Sequence, residues 1–241
     1  ISSCPSFLSS VFSFCASAIR GYNSIDMAFA QYYRNALGFG AFICLFLLPA
    51  GASAALVIGV PFTSQAPFGN WAQPWQDFCE EASIVMAAHF VWDLPLTPEI
   101  AAFEMQLIQQ YEIATWNRYE DTSIGETAEV LRELYGIQTL ERKPVSDVED
   151  IKFELRRGHI VIIPFAGRMV HNPYFVPPGP RYHMAVIRGY DDIRHEFIVN
   201  EPGTRWGEMY RYNQDVLFNA LHDLNVGEVE DGEKLMLVVS R

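Results

Sequence analysis

The chain predicts an α+β fold, with N-terminal helices packed on a mainly antiparallel sheet, and two observations carry that prediction. Helix start and stop signals crowd the stretch from Cys79 to Gly158, and β-branched runs crowd the stretch from His159 onward. Helices first and strands second, rather than strict alternation, indicate two packed layers instead of a parallel sheet.

Val57 to Phe62 (Val-Ile-Gly-Val-Pro-Phe) reads as a short strand, followed by a loop rich in Gln, Pro, Gly and Trp from Thr63 to Asp77. Cys79 opens a helix that runs to about Trp92. Thr97 before Pro98-Glu99 is a strong helix start, and apolar periodicity carries that helix to about Trp116. Ser123 with Glu126 makes a capping box closed by Gly136, and Ser146 with Glu149 makes a second closed by Gly158. The runs 159–165, 184–190, 196–199 and 235–239 are β-branched and extended, and Asn213 to Leu224 is one more amphipathic helix. No repeat of solenoid period is present.

Half of the 241 residues are hydrophobic and 14% are aromatic, which excludes a disordered chain. The net charge is −12, and Arg20 and Arg34 against Asp26 leave the part after residue 54 at −13. An acidic surface of that size argues against nucleic acid or an anionic membrane as partner. Arg34, the apolar run Ala36 to Leu48 and the end Ala52-Ser53-Ala54 are the three parts of a secretory signal. The organisation expected is therefore an upstream read-through or disordered leader over 1–26, a signal peptide over 27–54 and one domain over 55–241, exported and monomeric. Membrane contact is confined in this reading to the N-terminal segment.

Cys79 is the only cysteine after residue 44, so removal of the signal leaves a single thiol with no disulfide partner in an oxidising compartment. A thiol at a helix N-terminus faces the positive end of the backbone dipole, which favours the nucleophilic thiolate. Glu80 and Glu81 read as dipole partners in the first helical turn. Their charge opposes the thiolate, so an imidazolium is needed to offset it. Of six histidines, His89 is almost three turns along the same helix. His195 and His222 sit among acids, His159 begins a strand and His171 lies in a loop. His183 enters an apolar strand from a Pro-rich loop, which fixes its direction as a general base requires. The end of the following strand, Asn200-Glu201-Pro-Gly, returns beside it, so Glu201 or Asn200 could orient the ring. The oxyanion donors are the Cys79 amide and a glutamine, with Gln65, Gln73 and Gln76 as candidates. There is no His-x-x-x-His, no Cys-x-x-Cys and no glycine-rich phosphate loop, so neither a metal nor another cofactor is expected. Trp71, Trp75 and Tyr182 either line a substrate groove or roof the core.

Four ordered blocks, Val60-Pro-Phe-Thr-Ser-Gln65, Gln76-Asp-Phe-Cys79-Glu-Glu-Ala-Ser, Tyr182-His183-Met-Ala-Val-Ile-Arg-Gly-Tyr-Asp191 and Val199-Asn-Glu201-Pro-Gly-Thr204, resemble a bacterial papain-fold cysteine peptidase. The group is the bacteriocin-processing (double-glycine) peptidase family in its stand-alone branch, and the match runs from about residue 57 to 240. The resemblance implies a papain-like fold, Cys79 as nucleophile, His183 as base and Glu201 as third member, with a peptide or protein as substrate. The family usually has Asp where this chain has Glu201, and Asn200 is the alternative orienting group. For the oxyanion it favours Gln65 first and Gln76 second. A cell-wall peptide amidase or transferase with the same Cys-His pair, and a non-catalytic peptide-binding module, are the rival readings.

Overall fold

The computed structural model describes residues 55–241, so the expected leader and signal segment lie outside the described residues. Helix α1 (Cys79–Trp92) is buried from Cys79 through Phe90. A helix buried all round belongs at the centre of a domain. Two helices pack against it, α2 (Pro98–Trp116) and α3 (Ile124–Glu133), together with strand β4 (His183–Asp191). The expected caps are in place. Thr97 Oγ1 accepts from the Ile100 amide at 3.3 Å, and Ser123 and Glu126 satisfy each other's main-chain amides. The fourth helix, α4 (Val148–Arg156), starts one residue later than the Ser146–Glu149 box places it. Asp147 accepts from the Glu149 amide at 2.9 Å, and Asp150 accepts from the Ser146 and Asp147 amides at 2.8 and 3.1 Å. Asp150 takes both free amides, so Asp147 rather than Ser146 is the cap.

The remaining strands are β1 (Leu56–Val57), β2 (Leu140–Pro144), β3 (Ile160–Phe165), β5 (Glu196–Asn200), β6 (Tyr210–Asn213) and β7 (Leu235–Val239), with α5 (Gln214–Ala220) after β6. They form one antiparallel sheet in the order β2-β7-β3-β4-β5-β6, with β1 paired to β4. Strand β1 is shorter than expected. The extended arm beyond it is held by side chains: the Asn200 amide donates to the Val60 and Pro61 carbonyls, and Arg188 Nε to Ile58. Helix α5 also ends early, because Leu221 turns extended and bridges to Phe165.

Both faces of the sheet are covered. Ile160, Ile162, Met184, Val186, Leu237 and Val239 pack with α1, α2 and α3. Val161, Ile163, Phe165, Ala185, Ile187 and Val238 pack with Ile151 and Leu155 of α4 and Leu217 of α5. The sequence pattern suggested two layers, and the structure has three. This accounts for β3 and β4 being apolar without alternation, since strands covered on both faces have no solvent side. Burying a side chain the size of Ile84 or Met86 contributes about 1.5–3 kcal/mol, so these two faces supply most of the driving force for folding. Among the described residues no helix is long and apolar enough to cross a membrane.

Candidate active site

The start of α1 and the start of β4 lie together because α1 packs on β4. Cys79 is the first residue of α1, directly after a 3-10 turn over Trp75–Asp77. The Ser83 hydroxyl donates to the Cys79 carbonyl at 2.8 Å, which closes the first turn. Sγ donates to Glu80 Oε2 at 2.9 Å, and the residue is 6% exposed. Burial, followed by the Glu80 charge and its hydrogen bond, pushes the thiol well above its ordinary value of 9.0. The Met184 main-chain amide works the other way, favouring thiolate. The sulfur therefore rests as a thiol, beside the residue that follows His183.

His183 opens β4. Its Nε2 lies 2.5 Å from Glu201 Oε1. The ring is held edge-on against Phe165 and Phe175, with centroids 5.1 and 5.2 Å away. Alternation along the strand gives Met184 to the α1 face and sets His183 at the rim beside Phe165. Sγ and the imidazole are not hydrogen-bonded to each other; each has a carboxylate partner of its own. A carboxylate on Nε2 calls for a hydrogen there, which leaves Nδ1 as the basic nitrogen.

Glu201 follows β5 and is completely buried. Besides His183 it accepts from the Gly203 amide at 2.8 Å and from the Tyr212 hydroxyl at 2.9 Å. Tyr212 in turn accepts from Asn172 Nδ2 at 2.7 Å. Gly203 is required by space, since a Cβ there would lie 2.8 Å from Phe175, 2.9 Å from His183 and 3.0 Å from Glu201. These donors fix the longer glutamate arm. Tyr212 and Gly203 were not singled out in the sequence, although the Tyr210-Arg-Tyr212-Asn alternation was a signal for β6 and its inward tyrosines. Asn200 faces elsewhere, accepting from Arg188 at 3.1 Å and donating to the arm before Gln65. In this structure the hydrogen bond to His183 therefore belongs to Glu201.

Gln65 ties the two halves together. Its main-chain amide donates to the Pro202 carbonyl at 3.0 Å. Its side-chain amide donates to the Trp75 and Gln76 carbonyls at 3.1 and 2.6 Å. Both amide hydrogens are thus committed, and Oε1 is buried without a partner. Gln73 lies outside, bonded to Asp77 and Tyr119, and Gln76 is exposed. Of the three aromatic residues considered for a groove, Trp75 packs edge-on to Phe78 and Trp71 is 37% exposed. Tyr182 is core: its hydroxyl donates to the Thr122 carbonyl at 3.0 Å. Four of the other histidines are engaged apart from this site, His89 with Glu104, His159 with Glu154, His195 with Asp215 and His222 with the Gly232 carbonyl.

Glu80 and Glu81 depart most from the sequence reading. Both stand in the first helical turn as expected, but both are completely buried, which the dipole reading does not require. Every other residue from Ala82 to Phe90 except Ser83 and His89 is apolar, so α1 had no polar face to carry them, and that was the available signal.

The Peptidase_C39 like family matches residues 57–223. No curated protein matches the chain. Among solved structures, a Bacillus anthracis protein described as a C39-like peptidase is similar at 13% identity with a TM-score of 0.48, covering 78% of this chain and 99% of its own. So remote a structural likeness carries no argument, whereas the family match spans more than half of the chain and includes Gln65, Cys79, His183 and Glu201. On that match, the chain belongs to the Peptidase_C39 like family and is a cysteine peptidase.

Proposed function

We propose that the protein is an exported, monomeric thiol peptidase that cleaves a peptide or protein through an acyl-enzyme formed on Cys79. In this reading the sulfur attacks the scissile carbonyl, and His183 takes or holds the thiol proton and then delivers it to the leaving amine. Glu201 aligns the ring, and water releases the acyl group. The Cys79 main-chain amide and a glutamine, Gln65 before Gln76, stabilise the oxyanion. The observation that carries the reading is the buried His183–Glu201 pair at the mouth of β4, one residue from the amide that faces the Cys79 sulfur. A ring oriented by a carboxylate that two further donors hold in place is the second half of a nucleophile–base–orienter arrangement.

The test is a cleavage panel, with unfolded casein in one arm and cell-wall stem peptides in the other, run with the full chain and its Cys79→Ala variant. Cleavage of casein that disappears in the variant supports the peptidase. Cleavage confined to stem peptides moves the assignment to a cell-wall amidase. Cleavage that survives Cys79→Ala removes the nucleophile assignment.

A further inference from the structure

Apolar side chains that are exposed yet held still mark a surface built to bind. Two loops beside His183 have this character. The stretch 172–180, Asn-Pro-Tyr-Phe-Val-Pro-Pro-Gly-Pro, contains no charged residue, although the chain carries −12. Phe175 at its centre packs edge-on to the His183 ring, with centroids 5.2 Å apart. Its neighbours Tyr174 and Val176 are 53% and 86% exposed. Buried Asn172 holds this loop. Its Oδ1 accepts from the Tyr174 amide at 3.0 Å and its carbonyl from the Phe175 amide at 3.1 Å, while Nδ2 donates to Tyr212, a partner of Glu201. The Val176 carbonyl accepts from the Gly179 amide at 2.8 Å, so Val176 sits on a closed turn. The second loop follows Glu201. Its Trp206 is 59% exposed, with the main-chain amide donating to Thr204 Oγ1 at 3.2 Å and the Arg205 guanidinium 5.0 Å over the ring.

Gly203 joins the two loops and gives the surface a side. A Cβ there would lie 2.8 Å from Phe175 Cε1 and 2.9 Å from His183 Cε1, the ring carbon bonded to Nδ1. Nδ1 is the nitrogen free to act, since Nε2 faces Glu201. The leaving amine takes its proton from that nitrogen, so the chain following the scissile bond departs past Phe175 and Gly203. We propose that Tyr174, Val176 and Trp206 form the subsite for the leaving half of the substrate, which selects a large apolar residue within the first two positions after the scissile bond. This inference rests on the thiol-peptidase reading and names the substrate class within it. The three side chains take no part in bond making. They act by removing apolar surface from water, and because both loops are already fixed, little ordering is lost on binding.

The test is digestion of a random-sequence peptide library by the full chain, with new amino termini read by mass spectrometry and counted against Cys79→Ala. Phe, Tyr, Trp, Leu, Ile, Val and Met should be enriched about 10-fold over Ser, Asp and Lys at the first or second residue of those termini. The double variant Tyr174→Ser, Val176→Ser and, separately, Trp206→Ser should each reduce that enrichment at least about 3-fold. Phe103→Ser, which removes a comparably exposed ring on α2, should keep it. An even distribution of residues after the cut, or selection confined to residues before it, would overturn the proposal from the wild type alone. Enrichment that survives both loop variants would overturn it as well. Failure of the peptidase reading looks different: no new amino terminus depends on Cys79, and both ideas fall together.

Discussion

Glu201 and Glu112 are both completely buried, and their surroundings are opposite. Glu201 has three partners converging on two oxygens: His183, the Gly203 amide and the Tyr212 hydroxyl. Glu112 faces Glu81 across the α1–α2 interface, and none of the four oxygens has a hydrogen-bond donor from outside the pair. Burial, then the Glu80 charge, lifts Glu112 to about 8, and burial followed by the Glu112 charge lifts Glu81 well above 4.5. The comparison shows that depth alone does not decide what a buried carboxyl does. Where donors converge, it is a fixed acceptor that can orient an imidazole; where they are missing, it holds a proton and becomes a pH-dependent element of stability.

Four measurements sharpen this contrast. The largest effect belongs to Glu201→Gln, which turns the oriented acceptor into an amide. Its kcat/KM on whichever panel substrate the wild type cleaves should fall by about 10²–10⁴-fold with little change in melting temperature. Gly203→Ala comes next. The added methyl must push Phe175, His183 or Glu201 aside, so turnover should drop while stability falls by about 1–3 kcal/mol in denaturant melts. Tyr212→Phe removes one of the three partners of Glu201 and leaves Asn172 Nδ2 without its acceptor, for a loss of about 1–3 kcal/mol. Restoration of activity by neither Phe nor His at 212 would identify the hydroxyl, rather than the ring, as the part that matters.

The smallest expected effect concerns the other site, and its sign is opposite. Glu81 and Glu112 bind protons more tightly folded than unfolded. Their contribution to stability is therefore complete below the ordinary carboxyl value of 4.5 and is lost as pH rises, through about 8 for Glu112. Glu112→Gln should leave stability near neutral change at acid pH and should stabilise the chain by about 1 kcal/mol on the alkaline side. Parallel pH profiles for the two proteins would remove the proton-holding account of this pair.

Local signals made much of the fold legible. Thr97-Pro98, Ser123 with Glu126, and the apolar run from Ile160 to Phe165 all act through nearest neighbours, and the elements fall where those residues place them. The two missed strands, Leu-Glu-Arg-Lys-Pro and Tyr-Arg-Tyr-Asn, lie at the sheet's edges. Edge strands need no apolar pattern, because pairing with β7 and β5 defines them, and that pairing is set by distant sequence. The site divides in the same way. Cys79, His183 and Glu201 carry recognisable neighbours, so motif order exposed them. The sequence reads Glu80 only as a dipole partner in a first helical turn, because which face of α1 meets solvent depends on β4 arriving about a hundred residues later. Gln65 was legible as a candidate, but its placement between the Cys79 turn and Pro202 is a tertiary fact.

The most direct measurement is the mass of the intact chain quenched in acid within milliseconds of mixing with an activated peptide ester. The account predicts one acyl group, mapped by fragmentation to Cys79, that decays as free acid appears and is absent in Cys79→Ser. Ester turnover with no adduct on that sulfur, or an adduct on any other residue, would contradict it.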